Sequence, residues 1–300
     1  MLPEEGLTAR GSTDSPTTGL PTMSEDRISY DAFLRFLAMP LNDGRPFVLE
    51  TKHTVSLHFD HFGTQSFMSL KDPVRLELGY TRVMMGFLLL QPAPARICMI
   101  GLGGGSLAKY CYRHLPDTAI DAVEINPDVI ALRDVFRIPQ DDARFAVICA
   151  DGADYVGRPE VKADVILHDA FVADGMPGRC TGTAFFDACR ARLSETGVLA
   201  INFMDDDPAL PRHLEQLREV FDASYALLPC GDDNNFIAFA WKNGNPLPSL
   251  RILLERALGF ASAGELKLSP TARRMKEGEC IAPERLVWRA REHARWEICT

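Results

Sequence analysis

The chain has 300 residues, of which 46% are hydrophobic, and its formal net charge is -9. This length supports one large domain, or one domain with a small partner unit, and the acidic balance disfavours nucleic acid as the main partner. No apolar run approaches the roughly 18 to 20 residues of a membrane span, and the N-terminus lacks the apolar core of a signal peptide.

These features predict a cytoplasmic protein with no membrane partner and no nucleic-acid partner. The eight cysteines include no Cys-x-x-Cys pair, and several of them stand in apolar runs. Such cysteines are typically reduced and buried, and no zinc-type cluster is present in the sequence. We therefore expect no metal.

The first part of the chain predicts a disordered segment followed by a small N-terminal unit. Residues 1–25 are rich in Gly, Pro, Ser and Thr and have little to bury, so we expect disorder there. Residues 28–39 have the spacing of an amphipathic helix, and residues 47–68 alternate as a small antiparallel β unit does. Residues 70–90 have helical spacing and end before two prolines. We group residues 26–92 as this unit.

From residue 96 onward, short apolar runs alternate with helical segments. The predicted strands are residues 97–100, 120–125, 145–150, 164–168 and 198–204, followed by a closing antiparallel pair at 225–228 and 236–241. The predicted helices between them include residues 106–114, 183–193 and 211–221. This alternation is typical of an α/β fold with a mostly parallel sheet covered on both faces. We assign residues 93–244 to this domain and residues 245–300 to a helical C-terminal extension.

A glycine cluster directly follows the first of these strands. Its members are Gly101, Gly103, Gly104 and Gly105, and a helical pattern begins at Ser106. A strand, a glycine turn and a helix bring backbone N–H groups and a helix N-terminus to a nucleotide-like ligand. Glycine permits a close backbone approach that a side chain would block. The cluster therefore predicts a nucleoside-binding loop.

Acidic residues end each of the next three predicted strands. Glu124 stands about twenty residues beyond the loop, where a carboxylate can accept hydrogen bonds from both ribose hydroxyls. Asp151 could accept from the exocyclic amine of adenine or cap the following helix, and Gly152 would let the base approach. Asp169 could hold a substrate amine or act as a base toward it. Because the carboxyl ends of parallel strands share one edge, these residues predict a single cleft.

Residues on either side of Asp169 lead to two further expectations. His168 alternates to the opposite face of its strand, which favours a structural role. Asp174-Gly175 follows in a loop that could cover the cleft, and Asp174 is a candidate second carboxylate. A nicotinamide dehydrogenase fingerprint would need Gly or Ala at position 106, where Ser106 stands, and a P-loop would need Gly-Lys-Ser/Thr after the glycines. Neither scheme fits this chain.

Together these motifs resemble the spermidine synthase (polyamine aminopropyltransferase) family. The matching stretches are residues 99–106, 123–126, 150–152 and 167–169, with Phe185-Phe186 after them, within a likeness that covers roughly residues 45–242. The resemblance implies a Rossmann-like class I methyltransferase fold with a seven-stranded sheet. It also implies a transferase that uses S-adenosylmethionine or decarboxylated S-adenosylmethionine as donor and a small-molecule amine as acceptor, in a homo-oligomer.

The resemblance implies roles for individual residues as well. Gln65, in a stretch that looks like the family's Gln-x-Ser, would contact the nucleoside side of the donor together with Glu124. Asp151 would contact the adenine, and Asp169 would lie near the attacking amine. The expected donor-binding residues are Gln65, Gly101, Gly103, Gly105, Glu124, Asp151 and Gly152, and the expected catalytic residues are Asp169 and Asp174.

Three departures from the family pattern bear on the reaction. The acid of the family's glycine loop falls on Gly104, the second acid of Asp-x-x-Asp-Pro falls on Val172, and the Tyr-His-Glu stretch falls on Tyr80-Thr81-Arg82. Each lost carboxylate removes a charge-assisted bond to a cation of roughly 1.5–3 kcal/mol. Transfer of an aminopropyl group and transfer of a methyl group therefore both stay open. The alternative is a non-catalytic protein that binds the nucleoside and has lost polyamine synthesis.

Overall fold

The computed structural model describes residues 45–61, 63–158, 161–171, 175–231, 234–242, 246–260, 262, 264–289 and 295–298. The segment expected to be disordered at residues 1–25 and the helix expected at residues 28–39 lie outside this range. Val172 and the candidate catalytic residue Asp174 also lie outside it. Within the described residues, no helix combines the length and the apolar character that crossing a bilayer requires.

A three-stranded antiparallel sheet begins the described chain. Its strands are β1 (Phe47–Glu50), β2 (Thr54–His58) and β3 (Thr64–Ser69), which pair in chain order. Helix α1 (Gly79–Met84) follows and continues as a 3-10 helix over Met85–Leu89. Leu57 and Met68 of the small sheet share one apolar core with this helical segment. The small sheet therefore packs on the main domain, with β3 next to the glycine loop.

A seven-stranded sheet forms the centre of the molecule. Its strands are β4 (Arg96–Ile100), β5 (Ala119–Glu124), β6 (Phe145–Cys149), β7 (Ala163–His168), β8 (Leu193–Met204), β9 (Tyr225–Cys230) and β10 (Asn235–Trp241). Their order is β6-β5-β4-β7-β8-β10-β9, and β10 alone runs in the direction opposite to the other six strands. This arrangement confirms the mostly parallel sheet and its closing antiparallel pair.

Helices pack on both faces of this sheet. They are α2 (Ser106–His114), α3 (Pro127–Ala131), α4 (Gly152–Val156), α5 (Thr183–Arg192) and α6 (Leu210–Val220). Along β4, Ile97 and Met99 belong to one buried cluster, while Cys98 and Ile100 belong to the other. Successive strand residues point to opposite faces, so a strand covered on both faces must be apolar throughout. This explains the continuous apolar run before the glycine loop.

The C-terminal extension is helical only in its first part. Helices α7 (Leu250–Leu258) and α8 (Leu268–Glu277) are followed by a hairpin of β11 (Leu286–Arg289) and β12 (Arg295–Ile298). Trp288 and Trp296 are opposite each other in this hairpin, with ring centroids 5.1 Å apart. Cross-strand aromatic pairs stabilise β structure, and this pair explains the departure from the expected all-helical extension.

Lys109 is a cation buried in the core between α2 and the small sheet. Its ammonium donates to Phe136 O at 2.8 Å and lies 3.0 Å from Met68 Sδ. Burial, with a smaller effect of the Arg137 charge, lowers the pKa of Lys109 to about 7. Between about pH 7 and pH 10, the Lys109 ammonium therefore keeps its proton in the unfolded chain and has lost it in the folded chain. Stability should rise with pH from about 7 to about 10, and the full cost of the buried charge applies below pH 7.

Lys109→Met should therefore raise the free energy of unfolding more at pH 6 than at pH 9, by about 2 kcal/mol. Urea denaturation at the two pH values measures this difference. Lys71→Met is the matched control, because Lys71 is exposed and its loss should have the same small effect at both pH values. An effect of Lys109→Met that does not change with pH would contradict this interpretation.

Candidate functional site

A cleft of about 1100 Å³ opens at the carboxyl ends of the parallel strands. Open α/β sheets bind their ligands at this edge. Most of the residues expected in the site line it, namely Gln65, Gly101, Gly103, Glu124, Asp151, Gly152 and Asp169. The structure thus brings together residues that the sequence separates by more than a hundred positions.

Gly101 brings the glycine loop into contact with the end of β7. Its φ is +93°, and a Cβ there would lie 2.2 Å from the backbone oxygen of Asp169. Gly105, in contrast, is not among the residues that line the cleft. It precedes α2 with φ +66°, and a Cβ there would lie 2.5 Å from Ile138 Cγ1. Gly105 is therefore required for packing beneath the loop, whereas the expectation was contact with the ligand.

At Gly104, the position where the resemblance implies an acid, a side chain would meet filled space. A Cβ at this position would lie 2.6 Å from Ser66 Oγ and 2.7 Å from Phe136 Cδ1. Ser66 Oγ in turn lies 3.2 Å from Ser106 Oγ at the start of α2. Neutral side chains therefore occupy the space that a side chain at position 104 would need.

Gly104→Asp alone should therefore destabilise the protein by about 1–3 kcal/mol, because overpacking forces neighbours to move. Removing the obstructing side chain in Ser66→Gly/Gly104→Asp should recover part of the loss. Gly231→Asp serves as control, since a Cβ at Gly231 meets no heavy atom of the described residues within 4 Å. Thermal unfolding of the variants measures the effect. A Gly104→Asp protein as stable as the wild type would show that the loop opens more easily than its packing indicates.

Glu124 is held at the end of β5 by two backbone groups. Its Oε2 accepts from Leu102 N at 3.0 Å, and its Oε1 accepts from Asn126 N at 2.9 Å. Each carboxylate oxygen has a second lone pair, and the half-buried side chain lines the cleft. The carboxylate is therefore oriented beside the glycine loop with acceptor capacity to spare.

Asp151 takes the helix-capping role that the sequence left open. Its Oδ1 accepts from Ala153 N at 2.8 Å at the start of α4, and its Oδ2 pairs with Arg179. Arg179 also pairs with Asp154 and lies at the edge of the cleft. Sequence reasoning missed Arg179, which is 28 positions from Asp151 and belongs to no recognisable motif.

A side chain at position 152 would clash with the main sheet. A Cβ at this position would lie 2.3 Å from Ile100 Cγ2. The glycine therefore allows α4 to pack closely on β4, in addition to lining the cleft. The close packing of α4 on β4 is thus one reason for a glycine at this position, and the predicted room for a base is another.

Asp169 lies at the centre of a hydrogen-bond network in the wall of the cleft. Its Oδ1 accepts from Asn202 Nδ2 at 2.9 Å, and its Oδ2 accepts from Tyr80 Oη at 3.2 Å. Asn202 Oδ1 accepts from Asn235 Nδ2 at 2.9 Å. Burial raises the pKa of Asp169, and the bonds from Asn202 and Tyr80 oppose this rise. The network fixes one carboxylate with a raised proton affinity at the cleft.

The same network contains residues that the sequence did not single out. Asn202 is 2% exposed and interrupts the apolar run of β8. A buried polar residue in such a run needs a hydrogen-bond partner, so the asparagine within an apolar strand was the signal that could have identified Asn202.

Tyr80 stands at the first position of the stretch that the resemblance matches to Tyr-His-Glu. Thr81 Oγ1 donates to Leu78 O, and Arg82 donates to the carbonyls of Leu76 and Glu77, so neither replaces the lost acid.

His168 has the structural environment that its alternation predicts. It is fully buried, its Nε2 lies 2.8 Å from Cys180 O, and its ring packs on Phe185. Burial lowers its pKa to about 4. The side chain is therefore neutral at ordinary pH and points away from the carboxylate that follows it.

An acidic turn after β8 forms the far wall of the cleft. Asp206 and Asp207 line the cleft, while Asp205 is buried behind them. Burial, and then the charge of Asp206, raise the pKa of Asp205 to about 6. The turn directly follows a predicted strand, so the rule that selected Asp169 could also have found these acids. Among the described residues, no group of three or more His, Cys, Asp or Glu is arranged to hold a metal ion.

The seven-stranded sheet, its helices and the cleft at its carboxyl edge define a class I methyltransferase-type fold. A family model described as "Spermine/spermidine synthase domain" matches residues 77–222. A polyamine aminopropyltransferase of Chromobacterium violaceum is 36% identical over 223 residues, which cover 74% of this chain and 85% of the relative. The chain therefore belongs to the spermine/spermidine synthase family, and it is a transferase.

Solved structures agree with this assignment at the level of the fold. Human methyltransferase-like protein 13, solved in complex with SAH, matches with a TM-score of 0.51 and 26% identity, covering 65% of this chain and 89% of the other. Spermidine synthase from Thermotoga maritima matches with a TM-score of 0.57 and 20% identity, covering 74% and 76%. The fold of this chain is thus similar both to that of a spermidine synthase and to that of a methyltransferase-like protein.

Proposed function

We propose that this protein transfers an alkyl group from a sulfonium donor, S-adenosylmethionine or its decarboxylated form, to a small amine. One observation carries the proposal. The strand order β6-β5-β4-β7 puts Asp151, Glu124, the glycine loop and Asp169 in a row along one edge. An adenine, a ribose, a sulfonium centre and an attacking amine need partners in that same order.

The donor fits the first part of this row. The backbone N–H groups of Leu102 and Asn126 hold the Glu124 carboxylate, and its remaining lone pairs would accept from the ribose hydroxyls. Gly101 and Gly103 would let the donor approach the backbone, with Gln65 of β3 across the cleft. The carboxylate of Asp151 would face the adenine at the far end of the row.

The acceptor fits the wall formed by Asp169 and Tyr80. The amine nitrogen attacks the carbon next to the sulfonium, the S–C bond breaks, and its electron pair leaves with the neutral thioether. The proton released by the amine would pass to Asp169, whose burial raises its pKa. Since the sulfonium is already a good leaving group, catalysis consists mainly of positioning and of removing water from the amine.

Aminopropyl transfer is the first candidate because the chain is similar to a polyamine aminopropyltransferase over 85% of that protein's length. Methyl transfer is the second candidate, and the packing around Gly104 favours it. Both donors carry an ammonium, but only S-adenosylmethionine also carries a carboxylate, which an acid in the glycine loop would repel. Here Ser66 and Phe136 fill the space that such an acid would need. We infer that the donor's tail meets a neutral surface.

Mass spectrometry of the acceptor tests the proposal. The purified protein is incubated with each donor and a panel of mono-, di- and polyamines, and we expect an amine with one added alkyl group plus the thioether nucleoside. Tight donor binding without turnover on any amine would instead support the non-catalytic alternative. Calorimetric affinities for the two donors then distinguish aminopropyl transfer from methyl transfer. A tenfold preference for the decarboxylated donor, about 1.4 kcal/mol, would exclude methyl transfer.

A further inference from the structure

The C-terminal hairpin contacts the acidic turn that follows β8. Trp296 of β12 donates to this turn twice, from its backbone N–H to Asp205 O at 2.7 Å and from its indole Nε1–H to Asp207 O at 2.9 Å. The indole is half-buried and packs against the apolar cluster on this side of the sheet. These two bonds fix the backbone on both sides of Asp206.

Asp206 lies on the acceptor side of the reaction centre. Strand β8 is the neighbour of β7 on the side away from β4, so the turn is one strand beyond Asp169. Neighbouring strands are about 4.8 Å apart. An amine acceptor that is bound at Asp169 and extends away from the donor would therefore pass Asp206 after roughly 5 to 10 Å.

The carboxylates of this turn are not equivalent. Asp207 Oδ1 accepts from Ala209 N at 2.8 Å, and its Oδ2 lies 3.6 Å from His213 Nε2. Asp205 is buried, whereas Asp206 is exposed and lines the cleft. Asp206 is thus the most exposed carboxylate of the turn, and Asp207, which also lines the cleft, already accepts from Ala209 N.

We propose that Trp296 is a positioning residue, which holds Asp206 where it binds a second cationic group on the acceptor. This inference rests on the proposed function, since it takes the acceptor to be an amine that is bound at Asp169. It gives the C-terminal hairpin a role in the selection of the acceptor. Trp296 itself contacts the turn and does not line the cleft.

Two substitutions in the same hairpin give a matched comparison. Trp296→Phe keeps an aromatic ring and the backbone bond to Asp205 and removes the indole bond to Asp207. Trp288→Phe changes the opposite residue, which is 37% exposed and does not line the cleft. Melting temperatures of both variants show whether the hairpin remains folded. Asp206→Asn provides an independent test that leaves both tryptophans in place.

The probes are 1,4-diaminobutane and 1-butylamine, with decarboxylated S-adenosylmethionine as donor. Trp296→Phe and Asp206→Asn should each raise the KM of the diamine about fivefold, the effect of one lost hydrogen bond. The kcat, the donor affinity and the KM of the monoamine should change less than twofold. Trp288→Phe should change none of them. An unchanged diamine KM in Trp296→Phe, or an equal rise for both amines, would overturn the inference.

Calorimetric binding of the two amines in the presence of 5′-methylthioadenosine repeats the comparison without turnover. If the wild-type protein binds the diamine and transfers nothing, the proposed function fails while the role of Trp296 is still tested by the Trp296→Phe affinity. A loss of affinity for the diamine but not for the monoamine would support the inference. Equal diamine affinity in the wild type and in Trp296→Phe, or a wild type that binds no diamine, would overturn it.

Discussion

Asp169→Asn should lower kcat at least a hundredfold while the donor affinity changes less than twofold. A positioned acid–base group typically contributes about 10²–10⁴-fold to the rate. The amide keeps an oxygen that can accept from Asn202, so the network around it should persist and the protein should stay folded. Steady-state kinetics with a saturating amine, together with donor calorimetry, measure the two effects separately.

Two controls make this result specific. Tyr80→Phe removes one hydrogen bond to the Asp169 carboxylate and should lower kcat only about fivefold. Asp187→Asn changes an exposed carboxylate on α5 and should have no effect. The pH profile adds a third readout. Because burial raises the pKa of Asp169, wild-type activity should fall with decreasing pH at a value above that of an ordinary Asp, and Asp169→Asn should lack this limb.

A kcat for Asp169→Asn within tenfold of wild type, in a protein that stays folded, would remove Asp169 from the chemical step. The amine would then bind elsewhere along the edge. The acidic turn after β8, which also lines the cleft, would be the next place to test.

Glu124→Ala should weaken the binding of either donor by more than tenfold. Hydrogen bonds to a charged group contribute about 1.5–3 kcal/mol each, and the carboxylate would accept from the ribose. Glu124→Gln should lie between alanine and wild type, because the amide keeps one acceptor oxygen. Calorimetry with S-adenosylmethionine and with its decarboxylated form measures these affinities.

The substitution also frees the N–H groups of Leu102 and Asn126, so stability must be followed in parallel. Glu219→Ala, which removes an exposed carboxylate from α6, is the control and should leave both affinity and stability unchanged. Unchanged donor affinity in a folded Glu124→Ala protein would mean that the nucleoside binds at a different place.

The main sheet and the position of the cleft could be predicted because both depend on local patterns. A strand covered on two faces must be apolar throughout, as residues 97–100 are. The acids at the strand ends then follow from the rule that parallel strands end at one edge. This reasoning led to Glu124, Asp151 and Asp169, all of which line the cleft.

The features that sequence reasoning missed depend on distant contacts. The space around Gly104 is filled by Ser66 and Phe136, which are 38 and 32 positions away along the chain. No local pattern reports such a clash. The prediction that Gly105 contacts the ligand failed for the same reason. The side chain that requires a glycine there is Ile138, which comes from another part of the chain.

The C-terminal hairpin was missed for a different reason. The segment around Trp288 and Trp296 mixes aromatic and charged residues, and its periodicity does not distinguish a helix from a strand. Its structure depends on the Trp–Trp pair and on the bonds that Trp296 makes to the turn after β8. Tertiary contacts therefore decide its conformation, and they also connect it to the cleft.

The most direct test of the proposed arrangement is a crystal structure of the protein with 5′-methylthioadenosine and 1,4-diaminobutane. We expect the ribose hydroxyls on Glu124, the adenine at the Asp151 end, and one amine within hydrogen-bond distance of Asp169, with the other amine toward Asp206. A nucleoside bound in the opposite direction, or a diamine that contacts neither Asp169 nor Asp206, would contradict the assignment of donor and acceptor along the sheet edge.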